Sequence, residues 1–538
     1  MIKNFTGNLC FVLSAMAFGL LSIGFHMPYI VAWLSSCVAV TIVAARIPDI
    51  YSMTKNKKTS VRLWALLTSF SIVHPNAVYF LRRIFSSQKI IQVFENYVPG
   101  KMVTAKIFSY LLAVSAAYFF YIVMCFLCDW LYGMLSSIFF DCTRTEKCVI
   151  CMIALGMMAF VLWTFCNTTA FFGGDFGYHF IYDIIYTSDS GSIVKENCYL
   201  VLNHMQNDLR QPLFSVFAAP FTGVPYLLSL FCWNIPYASA LFIAIAQVMV
   251  LLLSYFILAK LISCDYRCRI TFLIIISSTY MTILFSVMME QYIIALFWLI
   301  LFVYVTVNDK QQQMLVLIGA SGTMLTSAAM AVWLKSKESY KHRFYEIIKA
   351  GISGLVLIIF FGRLDVILTC VSQLSELSGF TGKELTFGDK VLQYFSFLKN
   401  CFLAPDAGIR YGEYITWQLE TVSQISLIGI TIFLLMLVSS WIYKNDKLVN
   451  ICFYWLLFSF LIIVIVGWGT AENGTILYSL YFGWSFVVLL FKLIQFLLEK
   501  LKLEKCFILM ESAVGFMLLS INIPAIGELI DFAVKYYP

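Results

Sequence analysis

Charged residues are scarce in this 538-residue sequence. Only 12% of the residues are Asp, Glu, Lys or Arg, against about a quarter in a soluble domain. In contrast, 61% are apolar or aromatic. Because a soluble fold must cover its surface with polar side chains, this composition excludes a cytosolic enzyme, a nucleic-acid-binding module, a disordered chain and a secreted disulfide scaffold. The alternating segments of a membrane β-barrel are also absent.

Motifs for metal or redox chemistry are sparse as well. Cys148 and Cys151 form one C-x-x-C pair, but no second pair stands at metal-ligand spacing. The 16 cysteines lie mainly within apolar runs, which indicates that they pack as small hydrophobic side chains. The sequence also lacks tandem repeats, low-complexity tracts and a small-residue cleavage site near its start. We therefore expect the first apolar run to be an uncleaved membrane span.

Long apolar runs dominate the sequence. A bilayer core of about 30 Å needs about 20 apolar residues per helical span. The sequence therefore predicts an all-α polytopic transmembrane bundle of about 11–14 spans. Weaker apolar stretches at 61–81, 129–140 and 212–234 are expected to be interfacial, re-entrant or partly spanning. The candidate spans are 8–25, 28–46, 106–127, 148–170, 237–262, 270–287, 289–307, 313–334, 350–369, 425–443, 449–468, 475–497 and 505–525.

Lys and Arg residues set the expected orientation, because short cytoplasmic loops are enriched in them. This enrichment accounts for the net charge of +7 without a nucleic-acid partner. The number of membrane crossings agrees with these loop positions only if 212–234 does not fully cross the membrane. The segment 313–334 poses the same problem, because a full crossing there would place the following loop on the wrong side. The segments placed outside are 171–211, 289–291, 370–424 and 469–475, and those placed in the cytoplasm are 46–105, 144–147, 260–269, 335–349, 444–447 and 500–505.

The first candidate site is the stretch Phe171-Phe-Gly-Gly-Asp-Phe-Gly-Tyr-His179. Paired glycines allow a tight turn, so Asp175 is expected just outside the hydrocarbon. A half-desolvated carboxyl has a raised pKa, which suits a general base acting on a hydroxyl. The alternative is a helix end in a solvated loop. If 176–187 is an interfacial helix, His179 and Asp183 share a face with Asp175. The alternative for His179 is a place in the interfacial aromatic belt.

Two further outer positions carry charge close to the apolar region. In Asp208-Leu-Arg-Gln-Pro-Leu-Phe214, Arg210 beside Gln211 offers donors to an anionic phosphate, or else it extends toward lipid headgroups. Glu290 lies between two spans, two residues before Tyr292, where a charge is costly and usually functional. In one interpretation Glu290 faces Asp175, and the pair holds a divalent cation or shares proton transfer. In the other, Glu290 lies in a short solvated turn.

Weaker candidates lie on the later outer segments. Arg410, in the longest outer loop, is a candidate phosphate contact, and Glu472 lies in a short outer turn. Both are expected to be structural before they are catalytic. The small polar residues at 321–326 indicate close helix packing.

The order of these features resembles the GT-C class of membrane glycosyltransferases, which includes protein O-mannosyltransferases and the aminoarabinose transferases that act on lipid A. In that class a span leads directly into an outer loop with an essential acid, here Asp175 followed by Tyr178 and His179. The loop ends in a His-Pro-Pro-Leu-Tyr-like motif, to which Arg210-Gln-Pro-Leu-Phe214 corresponds. The likeness continues through Glu290-Gln-Tyr292 and covers residues 148–308.

This resemblance implies a polyprenyl-phosphate sugar as donor and a hydroxyl of a cell-envelope glycan, lipid or protein as acceptor. The reaction would take place on the outer face of a cell membrane, in a multi-pass protein of a bacterial cytoplasmic membrane. Asp175 then deprotonates the acceptor, and Glu290 orients the neighbourhood of Asp175 or helps to bind a metal. Arg210 or Arg410 offsets charge on the departing phosphate. The remaining substrate contacts would be His179, Asp183, Gln211 and Tyr292.

The resemblance also divides the chain into parts. A GT-C-like core spans 148–369 and has interfacial helices in its outer loop 171–211. It is followed by the long outer loop 370–424 and by C-terminal helices at 425–538. Residues 1–147 precede the usual first helix of the class and form an extra transmembrane module. Two departures are local: Arg-Gln-Pro replaces His-Pro-Pro, and Asp175 lacks an adjacent second acid.

Membrane proteins with other functions can have the same composition. A transporter or flippase of lipid-linked saccharides needs polar groups in a cavity, but it often has repeated halves and charges at mid-membrane. A multi-span glycan polymerase or ligase would place its key arginines in late loops, so Arg410 and not Asp175 would be essential. A scaffold protein would not explain an acid-rich outer face.

Overall fold

The computed structural model describes residues 2–22, 27–47, 49–86, 101–173, 184–202, 209–335, 338–412, 414–471, 473–502 and 507–538. It confirms a helical membrane protein, since 77% of the chain is helical. By length and composition, seven of the described helices can cross a bilayer, or eight if one sharply bent pair forms a single span. Five further apolar helices have only 10–17 residues. The total of about 11–14 spans therefore stays a prediction.

The first half of the chain alternates long helices with short connections. Apolar side chains from nearly all of these helices join one continuous core. The helices are α1 (Ile2–Ser22), α2 (Met27–Arg46), α3 (Ile50–Lys55), α4 (Thr59–Ser86), α5 (Lys101–Phe139), α6 (Arg144–Asn167), α7 (Ser190–Lys195), α8 (Phe214–Ser229), α9 (Ala238–Ile262), α10 (Tyr266–Ser277) and α11 (Tyr280–Val287).

The second half adds ten helices and a small antiparallel hairpin, which the all-α prediction did not include. Strands β1 (Ala407–Tyr411) and β2 (Ile415–Leu419) form this hairpin within the predicted outer loop 370–424. The helices are α12 (Tyr292–Val307), α13 (Gln313–Thr323), α14 (Tyr340–Phe360), α15 (Leu364–Leu368), α16 (Cys370–Leu377), α17 (Phe387–Asn400), α18 (Leu427–Ile442), α19 (Lys447–Phe460), α20 (Ser479–Lys500) and α21 (Phe507–Tyr536).

Four polar segments meet at one end of the bundle, which we call the outer end after its expected orientation. The Asp189 N–H donates to Glu290 at 2.9 Å, and the Trp417 N–H donates to the Ile184 carbonyl at 2.7 Å. The Gly469 N–H donates to the Phe380 carbonyl at 3.0 Å. These contacts join the segments 171–211, 289–291, 370–424 and 469–475, which the Lys and Arg pattern predicts on a common side.

Ion pairs connect the basic segments at the opposite end. Lys447 pairs with Asp309 at 2.8 Å, and Lys492 pairs with Asp446 at 3.7 Å. The most buried pair at this end joins α10 to α6, because Arg269 lies 2.5 Å from Glu146 and both side chains are almost fully buried. Glu146 also completes a capping box with Thr143 at the start of α6. The Glu146–Arg269 pair therefore fixes α6, the helix that leads into the candidate site.

Arg269→Met should destabilise the protein by about 3–5 kcal/mol, because it leaves Glu146 as an unpaired buried charge. Adding Glu146→Gln to Arg269→Met should recover part of this loss. The free energy of unfolding in an SDS titration measures both effects. Lys57→Met is the matched control: its pair with Asp129 is partly exposed, so a change of about 1 kcal/mol or less is expected. Equal losses at the two pairs would contradict this account.

The structure places the weaker apolar stretches 61–81 and 129–140 in two different helices. Residues 61–81 lie within the long helix α4, and residues 129–139 form the end of α5, whose part Tyr110–Phe139 is long and apolar enough to cross a membrane. Asn76 of α4 donates to the Leu200 carbonyl at 3.0 Å, so α4 reaches the outer end. The placement of all of 46–105 on the cytoplasmic side is therefore wrong for this part of α4.

Two segments depart from simple spans. Residues 313–334 form α13 and then a 3₁₀ helix, Leu325–Trp333, that runs back beside it. The two ends of the segment lie together, since the Lys335 N–H donates to the Gln313 side chain at 2.9 Å. This segment therefore enters and leaves at the basic end. The predicted span 270–287 is broken between α10 and α11, which are bent by 67°. By contrast, 212–234 contains a helix long and apolar enough to cross, 214–232.

Candidate functional site

Glu290 is the centre of a buried polar cluster at the outer end. It lies in the turn between α11 and α12 and is only 3% exposed. Its Oε1 accepts the Asp189 N–H at 2.9 Å. Its backbone carbonyl accepts the Tyr199 hydroxyl at 3.0 Å and the Gln247 amide at 2.6 Å. The Glu290 turn is therefore not a solvated loop, and both its side chain and its backbone are held in place.

Arg210 joins this cluster through Asp189. Its Nη2 lies 3.5 Å from an Asp189 carboxylate oxygen, and 18% of the Arg210 side chain is exposed. Its backbone carbonyl accepts the Leu325 N–H at 2.7 Å, so the 3₁₀ helix after α13 supports it. The structure thus brings together Arg210 and Glu290, two of the predicted site residues.

Several buried polar atoms around this cluster have no hydrogen-bond partner in the described part of the chain. They include Arg210 Nε, Gln211 Oε1 and Gln291 Nε2. Buried polar groups are normally paired with protein, water or a ligand. The unused donors and acceptors beside Asp189 and Glu290 therefore mark a place that can bind polar groups of a ligand.

Burial determines the proton affinity of Glu290. Loss of hydration, and then the negative charge of Asp189, raise the pKa of Glu290 to about 8, although the Asp189 N–H and Arg210 act in the opposite direction. A carboxyl with a pKa near the working pH can both take up and release a proton. The Glu290 side chain is therefore suited to proton transfer or to donating a hydrogen bond.

The raised pKa predicts how stability depends on pH. The folded state keeps the Glu290 proton at pH values where the unfolded chain has lost it, so stability is full below the ordinary pKa of Glu and falls as pH rises toward 8. The wild-type Tm should therefore drop between pH 5 and pH 8.5, and Glu290→Gln should flatten the drop. Glu376→Gln, at an exposed carboxyl of α16, is the control. Identical slopes in all three proteins would contradict a raised Glu290 pKa.

Tyr292 lies in the same region and begins an aromatic group. Its ring contacts Tyr478 edge-on with centroids 5.7 Å apart, and the Tyr478 hydroxyl accepts the Trp468 N–H at 2.7 Å. Tyr292, predicted as a substrate contact, is itself buried. It therefore supports the aromatic side chains beside the cluster.

The other predicted site residues separate into two groups. Asp175, His179 and Asp183 lie outside the described residues, as does Glu472. Arg410 lies on β1, and its Nη2 donates to the Leu419 carbonyl at 2.6 Å, so its guanidinium is engaged within the hairpin. The predicted interfacial helix 176–187 does not include Ile185, which forms an extended bridge to Trp417. Within the described residues, no three His, Cys, Asp or Glu side chains gather as a metal site.

The N-terminal helices also hold the site. The Asn76 amide donates to the Leu200 carbonyl at 3.0 Å, and its oxygen accepts the Leu202 N–H at 3.4 Å. Arg363, which pairs with Asp365 at 3.3 Å, also donates to the Leu202 carbonyl. The segment that carries Tyr199 is therefore fixed by residues from the 1–147 part and from the 148–369 part of the chain.

Asn76→Ala should loosen this segment without unfolding the protein. It leaves two backbone groups without partners, a loss of about 1–3 kcal/mol, so local opening should become about tenfold or more frequent. Cys198 is fully buried in this segment, and the rate at which it reacts with a maleimide, followed by mass spectrometry, measures the opening. Asn8→Ala removes a comparable amide within the N-terminal helices and should leave the rate unchanged. Equal rates in both variants would contradict the role of Asn76.

Sequence reasoning missed Asp189, Tyr199, Gln247 and Asn76 as members of the site. A signal was present for the two amides, because a lone Asn or Gln in an apolar helix needs a partner. Asp189 had no such signal, since its role depends on contacts with Arg210 and Glu290 from distant parts of the chain.

No protein-family model, curated protein or solved structure matches this chain.

Proposed function

We propose that the protein is a membrane glycosyltransferase that moves a sugar from a polyprenyl-phosphate donor to a hydroxyl of a cell-envelope glycan, lipid or protein. The observation that carries the proposal is the Asp189–Arg210–Glu290 cluster. A partly exposed guanidinium pairs with Asp189, whose backbone N–H donates to the buried Glu290 carboxyl at the outer end of the bundle. A lipid donor fits this arrangement, because its tail can lie between helices while its phosphate stays at the interface.

The proposed reaction is a single displacement. Asp175 takes the proton of the acceptor hydroxyl, whose oxygen bonds to the anomeric carbon of the sugar as the bond from that carbon to the phosphate oxygen breaks. The electron pair of the broken bond leaves with the phosphate, and Arg210 offsets the charge that develops there. Glu290 positions Asp189, and through it Arg210. Attack from the face opposite the leaving group inverts the anomeric centre.

A flippase of lipid-linked saccharides is the second candidate, and a specific observation favours it. Transporters often contain broken and re-entrant helices around their substrate. This bundle has the bend between α10 and α11 and the returning segment 313–334. Against it, the Asp189–Arg210–Glu290 cluster belongs to the outer-end loops, whereas a carrier needs a site that opens to both sides.

Product analysis tests the glycosyltransferase proposal. The purified protein in lipid nanodiscs is given radiolabelled polyprenyl-phosphate hexose, N-acetylhexosamine or pentose, together with envelope lipids, glycans and peptides as acceptors. Nanodiscs have no closed compartments, so transport cannot contribute to the signal. We expect free polyprenyl phosphate and a labelled acceptor from at least one donor. If every donor stays intact while the protein remains folded, the proposal is wrong.

A further inference from the structure

An aromatic wall lies next to Arg210. The Arg210 guanidinium lies 5.9 Å from the centre of the Phe380 ring, and Phe380 packs on Trp468 with centroids 6.1 Å apart. Trp468 in turn donates its N–H to the Tyr478 hydroxyl. We name Phe380, Trp468 and Tyr478 the aromatic wall. All three are at least partly exposed, and Phe380 reaches 38%, so the wall is open to a ligand.

The backbone holds this wall rigidly. Thr381 and Trp468 form an antiparallel bridge, and the Gly469 N–H donates to the Phe380 carbonyl at 3.0 Å. Gly469 has a φ of +74°, and a Cβ there would lie 2.5 Å from the Tyr478 ring. Only glycine lets the chain pass this close to the ring. Pre-formed aromatic surfaces with a few fixed polar groups are typical of ligand sites.

The charges beside the wall favour an anionic ligand. Arg210 and Lys390 are both positively charged. The Lys390 ammonium lies next to Gly467, the residue before Trp468, because a Cβ built on Gly467 would be 2.5 Å from Lys390 Nζ. Asp189 is the one negative side chain that pairs with Arg210 in the described part of the chain. Its carboxylate is 35% exposed, and it can accept hydrogen bonds from ligand hydroxyls while Arg210 pairs with a phosphate.

We propose that the aromatic wall binds the saccharide ring of an anionic glycolipid, with the phosphate of that lipid on Arg210. One face of a sugar ring carries mainly C–H groups and packs on aromatic side chains, whereas its hydroxyls need polar partners such as Asp189. The inference rests on the proposed function for the class of lipid, and it adds the surface that distinguishes a sugar-bearing lipid from the bare lipid phosphate.

Binding to the full-length protein in nanodiscs tests this inference separately from transfer. The probes are the polyprenyl-phosphate hexose, N-acetylhexosamine and pentose lipids, each compared with bare polyprenyl phosphate. Wild type should bind one sugar lipid more tightly than the bare lipid. Phe380→Leu should weaken that sugar lipid about tenfold, as expected for a lost aromatic contact of about 1.4 kcal/mol, and should change bare-lipid binding less than twofold. Arg210→Gln should weaken both.

Phe387→Leu is the matched control, because Phe387 is also an exposed phenylalanine of the 370–424 loop. It should leave the binding of both lipids unaffected.

Equal weakening of sugar-lipid and bare-lipid binding in Phe380→Leu would overturn the inference, as would no weakening of either. If wild type binds the bare lipid as tightly as every sugar lipid but still releases polyprenyl phosphate, the wall has no role in sugar binding while the proposed function stands. If wild type binds none of the lipids, both fail together.

Discussion

Asp175→Asn should lower the rate of sugar transfer by about 100- to 10,000-fold, the usual contribution of a general base. An amide cannot take the acceptor proton, although it has nearly the same shape as the carboxyl. The described chain stops two residues before Asp175, at Gly173, where a Cβ would lie 2.7 Å from the Cβ of Val194 in α7. Asp189, which pairs with Arg210, immediately precedes α7. The described chain that precedes Asp175 therefore lies close to the helix that follows Asp189.

Initial rates of transfer from the donor that wild type uses measure this effect. Asp406→Asn is the control, because Asp406 is an exposed acid of the outer end that pairs only with Lys399 among the described side chains. It should transfer within about twofold of wild type, since its removal costs a surface ion pair. If Asp175→Asn folds normally and transfers sugar at the wild-type rate, Asp175 is not the general base.

Arg210→Gln should lower kcat/KM by about 10- to 100-fold. The variant loses a charged hydrogen bond worth about 1.5–3 kcal/mol, and about 1.4 kcal/mol corresponds to a factor of ten. Arg210→Lys should recover only part of the activity, because an ammonium group does not form the two-point contact of a guanidinium with a phosphate. The same transfer assay measures both variants.

Arg410→Gln is the matched control for this prediction. Its guanidinium donates to the Leu419 carbonyl within the hairpin, so its loss should reduce transfer by less than about threefold, a cost of about 0.6 kcal/mol. The opposite pattern would favour a glycan polymerase, in which the arginine of the late outer loop is essential. Low activity in Arg410→Gln with normal activity in Arg210→Gln would therefore contradict the proposed site.

Much of the overall organisation could be predicted from the sequence. Apolar runs identify membrane helices because the bilayer sets their length. Lys and Arg identify one end of the bundle because they stay near water on one side of the membrane. The same reasoning placed Arg210 and Glu290 on one side, where the structure brings them together through Asp189.

The breaks inside helices could not be predicted in this way. The break between α10 and α11 is covered by Asn522 of α21, which donates to the Ser278 carbonyl at 2.9 Å and to the Phe402 carbonyl at 2.8 Å. Gln247 meets the Glu290 carbonyl, and Asn76 meets the Leu200 carbonyl, in the same manner. Each amide satisfies backbone groups that water cannot reach, but the sequence does not say which segment it meets. The hairpin of β1 and β2 escaped prediction because its short strands lie in a polar loop.

The measurement that most directly tests whether this protein is an enzyme uses sealed vesicles that contain wild type or Asp175→Asn, one labelled polyprenyl-phosphate sugar, and envelope lipids, glycans and peptides as acceptors. Two products are followed in the same sample: polyprenyl phosphate released from the sugar, and intact sugar lipid that has moved to the opposite leaflet. We predict release of polyprenyl phosphate that depends on Asp175, without movement of the intact lipid. Movement of the intact lipid without release would contradict a glycosyltransferase and identify a flippase.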